Sequence, residues 1–465
     1  MRHRVRKFQR SIVFVMKILL YFALFATFFL LFAIDYPYIL KLSRTAAITM
    51  VTFVVLGTAL LSVYGGYAIG KQKSKPIIHS MILATVITDL FTYFEFCIMN
   101  ASPANNYAFR LAAPEMLLLI LIIQILVIIG WTYFGNFVYF SITPPERVCI
   151  ITSSKISLGN VLPKIRKYKK QYQVADIIDY KSEDIFEMIL RNDTVFFYDV
   201  PLQARTALIE FCYDNMKNIY YNPELSDVVA ANAKHVVLDD KSFMSLVVKD
   251  LSLEQRFIKR LIDIILSFLG LVIASPILLI SAISIKICDG GKIMFKQKRA
   301  TKGGRIFEVY KFRTMKENVK NVSAKVDDDR ITSVGKILRK TRMDELPQLF
   351  NILKGDMSVV GPRPEMLENV KRYTKELPEF AYRLRVKAGL TGYAQIVGKY
   401  NTSPKDKLFL DLMYIENYSI WLDIKLIFQT LIVFLKTDST EGFKEQPQIE
   451  FVKYDAKQSK KSRAD

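Results

Sequence analysis

The sequence predicts a membrane protein in three parts: an α-helical bundle near the N-terminus, an α/β domain built on a parallel sheet, and a mainly α, membrane-associated third domain. Three observations carry this prediction. Of 465 residues, 51% are hydrophobic and the mean hydropathy is +0.20, yet Lys and Arg number 65 against 44 Asp and Glu, a net charge of +21. The long uncharged apolar stretches gather in the first 140 residues, and a large share of the charge excess lies far from them. Between these regions, short apolar runs alternate with helical patterns, the signature of a parallel sheet with crossovers. A basic soluble protein would suggest nucleic acid, but such proteins rarely carry this much apolar surface. The composition instead favours a membrane protein whose basic aqueous portion meets an anionic partner. Four scattered cysteines (Cys97, Cys149, Cys212, Cys288) and three histidines (His3, His79, His235) argue against a disulfide framework, a structural zinc site and histidine-based chemistry.

The bundle comes first, as residues 1–140. Residues 18–34, 46–70, 77–99 and 116–140 are long enough to cross a hydrocarbon core, which needs roughly 20 residues. A basic arm precedes the first stretch (Arg2, Arg4, Arg6, Lys7, Arg10), but the apolar run is long and no small-residue cleavage site follows, so it reads as a retained anchor. Lys71, Lys73 and Lys75 follow the second stretch, whereas the opposite loops hold only Lys41 and Arg44, and Arg110. Positive charge stays inside, so the N-terminus is expected in the cytoplasm, and four crossings return the chain there. Asp89 and Glu95 are the acids within the spans. They mark either a polar pathway or headgroup contact, or side chains facing the bundle interior.

Residues 145–245 read as a Rossmann-like cytoplasmic domain, with strands at residues 148–152, 173–179 and 194–200. The turn after the first strand, TSSKISLGN, lacks the G-x-G-x-x-G that lets a pyrophosphate approach the backbone. A structural, dimerising or regulatory module is the better reading.

The third domain opens with Ser252 and Gln255, spaced as a capping box, before an apolar helix that runs to about Ile287. By length it is a fifth span. Pro276 interrupts it, with Ser275 beside it able to satisfy a freed carbonyl, and both flanks are basic: Lys259 and Arg260 before, Lys286, Lys292 and Lys296 after. A kinked spanning helix and a hairpin dipping into the inner leaflet fit these residues equally well.

Residues 286–342 hold 17 Lys and Arg against 6 Asp and Glu, a net of +11 interleaved with Phe and Tyr. Folded basic segments of this kind suit phosphates, and beside a membrane anchor, lipid and nucleotide phosphates outrank nucleic acid. Then Asp344 and Glu345 should open a helix that carries Pro347 in its first turn and Gly355 at its close. An acidic helix start is common and stays ionised near the dipole. Alternatively, one carboxylate holds a divalent cation while the other attacks phosphorus. Arg339, Arg342 and Arg363 favour that reading, because an anionic nucleophile approaches a phosphate only where its charge is neutralised.

These pieces together resemble the bacterial sugar transferases that load a hexose 1-phosphate onto a polyprenyl phosphate. The resemblance covers residues 254–443 and rests on Ser275-Pro276, FKQKR (295–299), KFRTM (311–315), Asp328 and Arg330 before Ile331-Thr332, RKTRMDELPQL (339–349), GDMSVVGPRP (355–364) and GLTGYAQIVGK (389–399). It implies a catalytic domain at residues 252–443 with a re-entrant helix at Ser275-Pro276, ahead of a flexible tail at residues 444–465. It implies Asp344 as the nucleophile and Glu345 as its partner, the two carboxylates holding Mg²⁺. It also implies phosphate and substrate contacts from Lys311, Arg313, Arg339, Arg363, Arg299 and Lys399. The expected substrates are a UDP-hexose, of glucose or galactose type, and undecaprenyl phosphate in the inner leaflet, with no nucleic acid involved. The products are undecaprenyl-diphosphate-sugar and UMP, formed through an aspartyl-phosphosugar. Large members with four spans and a Rossmann-like domain initiate exopolysaccharide, capsule or O-antigen synthesis at the bacterial cytoplasmic membrane, and by analogy the chain forms a homodimer. Ala388 stands where many members have Pro, and Val397 and Lys399 replace an Asn and an Arg. Lysine gives up bidentate phosphate contact.

Overall fold

The computed structural model describes residues 2–434, apart from residues 42, 101–108, 232, 247–250, 317–327 and 399–401. The described chain divides into two compact units. One holds Met1–Pro145 with Pro223–Asn321 and Asp329–Thr440; the other is built on Glu146–Asn222.

In the first unit, α1 (Arg2–Asp35), α2 (Arg44–Val63), α3 (Ser74–Met99) and α4 (Pro114–Ile142) are long and apolar enough to cross a membrane. The second apolar stretch runs on to Gly70, but its helix stops at Val63. Gly65 and Gly66 take φ of +90° and +59°, a left-handed turn open to glycine at little cost. Aromatic rings of Phe28, Phe29, Phe32, Phe53 and Phe96 fill one half of the bundle core. Asp89 is fully buried inside the bundle, and Glu95 accepts a hydrogen bond from the Thr52 hydroxyl across two helices (3.0 Å).

The second unit alternates β1 (Glu146–Thr152), α5 (Lys155–Arg166), β2 (Tyr172–Asp179), α6 (Ile185–Arg191), β3 (Thr194–Tyr198), α7 (Leu202–Asp214) and β4 (Asn218–Tyr221). Its sheet is parallel throughout, in the order β2-β1-β3-β4. Cys149, Ile151, Val195 and Phe197 lie in one core cluster, Val148 and Ile150 in the other. The run of apolar residues in β1, with no polar alternation, reflects a strand covered on both faces.

The rest of the first unit begins with α8 (Leu225–Ala230) and the hairpin β5 (Lys234–Leu238) and β6 (Lys241–Ser245). Next comes α9 (Leu253–Asp289), whose Ser252 and Gln255 form the expected capping box and whose end is closed by Gly290 at φ +70°. The backbone stays helical through Pro276. That proline has no N–H to offer the Val272 carbonyl four residues back, and the Ser275 hydroxyl donates to it instead (2.7 Å). The antiparallel hairpin β7 (Met294–Ala300) and β8 (Ile306–Phe312) follows, then α10 (Ser333–Thr341), α11 (Gln348–Lys354) and β9 (Ser358–Val360). The chain closes with α12 (Leu367–Glu376), β10 (Gly389–Thr391), α13 (Tyr393–Val397), α14 (Pro404–Glu416) and α15 (Ile420–Phe434). A short parallel pair, β9 with β10, sits at the centre of this part.

Along its length α9 packs against these elements. Lys259 pairs with Asp423 on α15, and Arg260 donates to the Ile352 and Leu353 carbonyls at the end of α11. Gly270 lies against Leu349, and Ile285 is buried with Phe312 and Leu338. The opposite face exposes Phe268, Ile273, Ile280 and Ile287 among other large apolar side chains. Gln429 on α15 donates to the Val63 carbonyl (2.8 Å), so the same unit is fastened to the end of α2.

Candidate active site

The site forms where β8, the α10–α11 junction and the segment after β9 meet. Thr332 caps α10 by accepting from the Gly335 amide (3.0 Å). Gly335 is required there, since a Cβ would stand 2.1 Å from the Thr314 carbonyl oxygen. This close approach lets Arg339 Nε reach the Thr314 hydroxyl (2.8 Å). Arg342 ends the helix in the left-handed region (φ +57°), turning the chain sharply. The next residues, Met343–Glu345, form a 3-10 turn, and α11 begins only at Gln348, after Pro347. The two carboxylates therefore stand in a tight turn between helices, not in the first turn of a helix as the sequence suggests. The left-handed Arg342 sets them there.

Glu345 is locked. Lys311 donates from the C-terminal half of β8 to its Oε1 (2.7 Å), and Arg363 engages both oxygens (2.5 and 3.3 Å). Burial alone would raise this carboxyl, but the Arg363 and Lys311 cations outweigh it and hold Glu345 well below the usual carboxylate range. In return Glu345 raises the Arg363 guanidinium above its ordinary value. Asp344 is different. It is half-buried and accepts no hydrogen bond among the described residues. Burial pushes it up to about 6, with Glu345 adding to the rise and Lys311, Arg339 and Arg363 opposing it. Adjacent carboxylates thus have their titrations driven apart, the environment that separates chemical roles.

Arg363 and Arg299 are held in place by neighbouring groups. Arg363 follows β9 through Gly361 and Pro362, and Arg383 donates to its carbonyl (2.8 Å) while pairing with buried Asp411 (2.7 Å). Arg299 donates to the Pro364 carbonyl (3.1 Å) and also bonds Gln297; burial lowers its guanidinium to about 10. Asp263 on α9 accepts from the Ser358 hydroxyl (2.9 Å) and the Val359 amide (2.8 Å), and Lys259 donates to the Val360 carbonyl (3.1 Å).

Of the residues singled out in the sequence, Asp344, Glu345, Lys311, Arg339 and Arg363 come together. Arg299 lies behind Arg363. Arg313 is buried beside Gly291, where a Cβ would collide with its guanidinium. Lys399 lies outside the described residues. Ser275 and Pro276 are on α9. Sequence reasoning missed Arg383, Asp411 and Asp263, and it counted Arg342 only as a flanking cation, without its left-handed turn. Asp263 carried a legible signal, an acid four residues beyond Lys259 inside an apolar helix, the same signal that singles out Asp89.

Mg²⁺ fits the donor set. It commonly binds through one or two carboxylates completed by substrate phosphates. Among the described residues Asp344 accepts no hydrogen bond, and Glu345 Oε2 takes a single donor. No group of three or more His, Cys, Asp or Glu exists among the described residues, so such an ion would need oxygens from its substrate.

Residues 254–437 match the family model described as bacterial sugar transferase. The chain is 39% identical over 219 residues to a UDP-N-acetylgalactosamine-undecaprenyl-phosphate N-acetylgalactosaminephosphotransferase of Aeromonas hydrophila, covering 46% of this chain and 51% of the relative. It is also 39% identical to a UDP-glucose:undecaprenyl-phosphate glucose-1-phosphate transferase of Caulobacter vibrioides, over 39% of this chain and 71% of that one. Against the galactosyl transferase CpsE of Streptococcus agalactiae serotype III, identity is 30% over 65% of this chain and 75% of the relative. The chain spans about half the length of the Aeromonas relative, and less of a Klebsiella pneumoniae glucose-1-phosphate transferase (39%).

Proposed function

The chain belongs to the bacterial sugar transferases, and from that premise we propose that it moves a hexose 1-phosphate from a UDP-hexose to undecaprenyl phosphate, initiating an extracellular polysaccharide. The relatives' names support this substrate pair, and they include glucose, galactose and N-acetylgalactosamine versions.

In the first half-reaction an Asp344 carboxylate oxygen attacks the sugar-bearing phosphorus. The bond from that phosphorus to the bridging oxygen breaks, and UMP leaves with the electron pair. In the second, a phosphate oxygen of undecaprenyl phosphate attacks the same phosphorus and Asp344 is released as carboxylate. One phosphoanhydride replaces another, so no proton is gained or lost overall and no nucleotide triphosphate is spent. Lys311, Arg339 and Arg363 neutralise the charge that otherwise repels Asp344 from a diphosphate. By the family resemblance Arg299, Arg313 and Lys399 would add further phosphate or substrate contacts. Glu345, fixed by two cations, orients Arg363 and Lys311, and with Asp344 would hold Mg²⁺. When bound, that ion would supply charge neutralisation for the reacting diphosphate.

The observation that carries this reading is the division between the two carboxylates: Glu345 bonded to Lys311 and Arg363, Asp344 accepting no hydrogen bond among the described residues and shifted up to about 6. A nucleophile must be free to move onto phosphorus, and only Asp344 is. Replacing Asp344→Asn removes the nucleophile while keeping the shape. UMP release from a UDP-hexose with undecaprenyl phosphate present should then be lost; normal turnover would end the proposal. We place the site on the cytoplasmic face, where nucleotide sugars are, with α9 re-entering the leaflet it came from. Its two halves both pack on one folded unit, at Lys259 and at Ile285, which supports that course.

A further inference from the structure

Three successive helices of the catalytic part end on a residue in the left-handed region: α9 on Gly290 (φ +70°), α10 on Arg342 (φ +57°) and α11 on Gly355 (φ +91°). Glycine takes this conformation without a Cβ penalty and is the usual residue at such a helix end. Any other side chain there is held against strain by what surrounds it. The chain thus keeps an arginine, two residues before Asp344, at a place whose backbone suits glycine.

Strain alone does not mark a function. Met216, after α7, is also left-handed (φ +54°), and its side chain stands in solvent, 88% exposed. Arg342 differs: it is half-buried and lies among the charges of the site. Burial lowers its guanidinium below the ordinary value, Glu345 and Asp344 oppose that fall, and Arg363 adds to it. Its backbone is committed on both sides. The Arg342 amide donates to the Arg339 carbonyl (3.2 Å), and its own carbonyl accepts from the Glu345 amide (3.2 Å). One residue therefore joins the helix end that carries Arg339 to the turn that carries the carboxylates. Lys311 and Arg363 are fixed on Glu345, and Arg339 Nε on the Thr314 hydroxyl. Arg342 is instead tied by the chain to Asp344, with Met343 alone between them in a 3-10 turn.

We propose that Arg342 is a further catalytic residue, whose guanidinium contacts the phosphoryl group as it passes onto Asp344 and again as it leaves. This rests on the transferase reading above. A phosphoryl group in transfer spreads negative charge over its equatorial oxygens, and a planar guanidinium presents paired donors that match two of them. Arg342 makes and breaks no bond and moves no proton in either step. It answers the charge that phosphoryl oxygens bring to a turn already holding two carboxylates. The same phosphoryl group is present in both half-reactions, so one side chain serves both. A contact to the departing UMP would serve only the first.

The test compares Arg342→Gly and Arg342→Lys with the parent, as full chains in nanodiscs, and follows thermal unfolding beside two single-turnover rates. The first is UMP release from a UDP-hexose with Mg²⁺ and no acceptor; the second is discharge of the phosphohexose adduct by undecaprenyl phosphate. Glycine eases the backbone and removes the cation, so the two readouts should part. The unfolding temperature should equal or exceed the parent's, while both rates fall on the order of a hundredfold, the scale of losing one preorganised donor at developing charge. Lysine keeps a point charge without the paired donors and should recover part of both rates. Parental rates in Arg342→Gly would overturn the proposal. So would loss of the first rate alone, which would assign Arg342 to the departing nucleotide, or losses in both variants no larger than a drop in folded fraction explains. Asp344→Asn is run beside them. Turnover surviving in that variant would end the transferase mechanism itself, whereas rates lost in Asp344→Asn but kept in Arg342→Gly would end this proposal alone.

Discussion

Asp344 and Glu345 are chain neighbours with opposite electrostatic fates, and that contrast has a measurable pH signature. The proposed attack would require the ionised form of Asp344, and burial pushes its titration up to about 6. The sign follows: the carboxylate is fully formed above about pH 6 and is lost as pH falls through it. Because kcat/KM reports the free enzyme, it should be level above about pH 7 and fall about tenfold per unit below about 6. A profile still flat at pH 5 would contradict the assignment. Glu345, held far lower by Arg363 and Lys311, contributes no limb in that range. Much of this site was legible in the sequence, since Lys311, Arg339, Asp344, Glu345 and Arg363 stand in compact basic and acidic motifs whose chemistry needs no fold to read. The left-handed turn at Arg342 was not legible, because an arginine at positive φ carries no compositional mark.

Among the elements, α9 has two tasks. Its exposed face carries Phe268, Ile273 and Ile280 toward lipid, and its other face grips β9, which leads into Arg363. Asp263 accepts from Ser358 and Val359, and both Asp263 and Ser358 are buried. Removing the acceptor leaves buried donors unsatisfied, a cost of about 1–3 kcal/mol, and frees the strand that aims Arg363. Asp263→Ala should therefore raise KM for the nucleotide sugar, with KM for the lipid acceptor little changed. Asp263→Asn, which keeps an acceptor oxygen at that place, should restore most of the loss. Equal losses in every kinetic parameter, in proportion to the folded fraction, would show a merely structural role. Ser275 was read from sequence for its hydroxyl, and it does satisfy the carbonyl that Pro276 orphans. The grip of Asp263 on β9 was hidden because its partners lie 95 and 96 residues away. The early end of α2 at Val63 was hidden by hydropathy, which continues through Tyr64, Tyr67 and Ile69 although the glycines between them turn the chain.

At the scale of the whole molecule, the opposing signs of the composition separate in space. Apolar residues build α1–α4 and one face of α9, and the positive excess at residues 286–342 includes Lys311, Arg339 and Arg342, which stand beside a carboxylate pair. Topology follows from α9: if it returns to the leaflet it entered, a single cysteine in place of Lys292 reacts in intact cells only with membrane-permeant reagents. Modification by an impermeant maleimide from outside would mean that α9 crosses. The five long apolar helices were foreseen from hydropathy and the parallel sheet from alternating strand and helix patterns, whereas the attachment of α15 to the end of α2 through Gln429 was not, since one amide among 465 residues gives no signal before the chain is folded. In the proposed reaction, a division of labour between a cytosolic donor and a bilayer acceptor would give covalent catalysis its advantage: two bulky substrates would use one nucleophile in turn. That sequence of events can be caught. The full chain, given a UDP-hexose and Mg²⁺ without any polyprenyl phosphate, should release one UMP per active site and carry a phosphohexose on the peptide containing Asp344, discharged when undecaprenyl phosphate is added. UMP release that requires the acceptor, with no adduct on that peptide, would contradict the account.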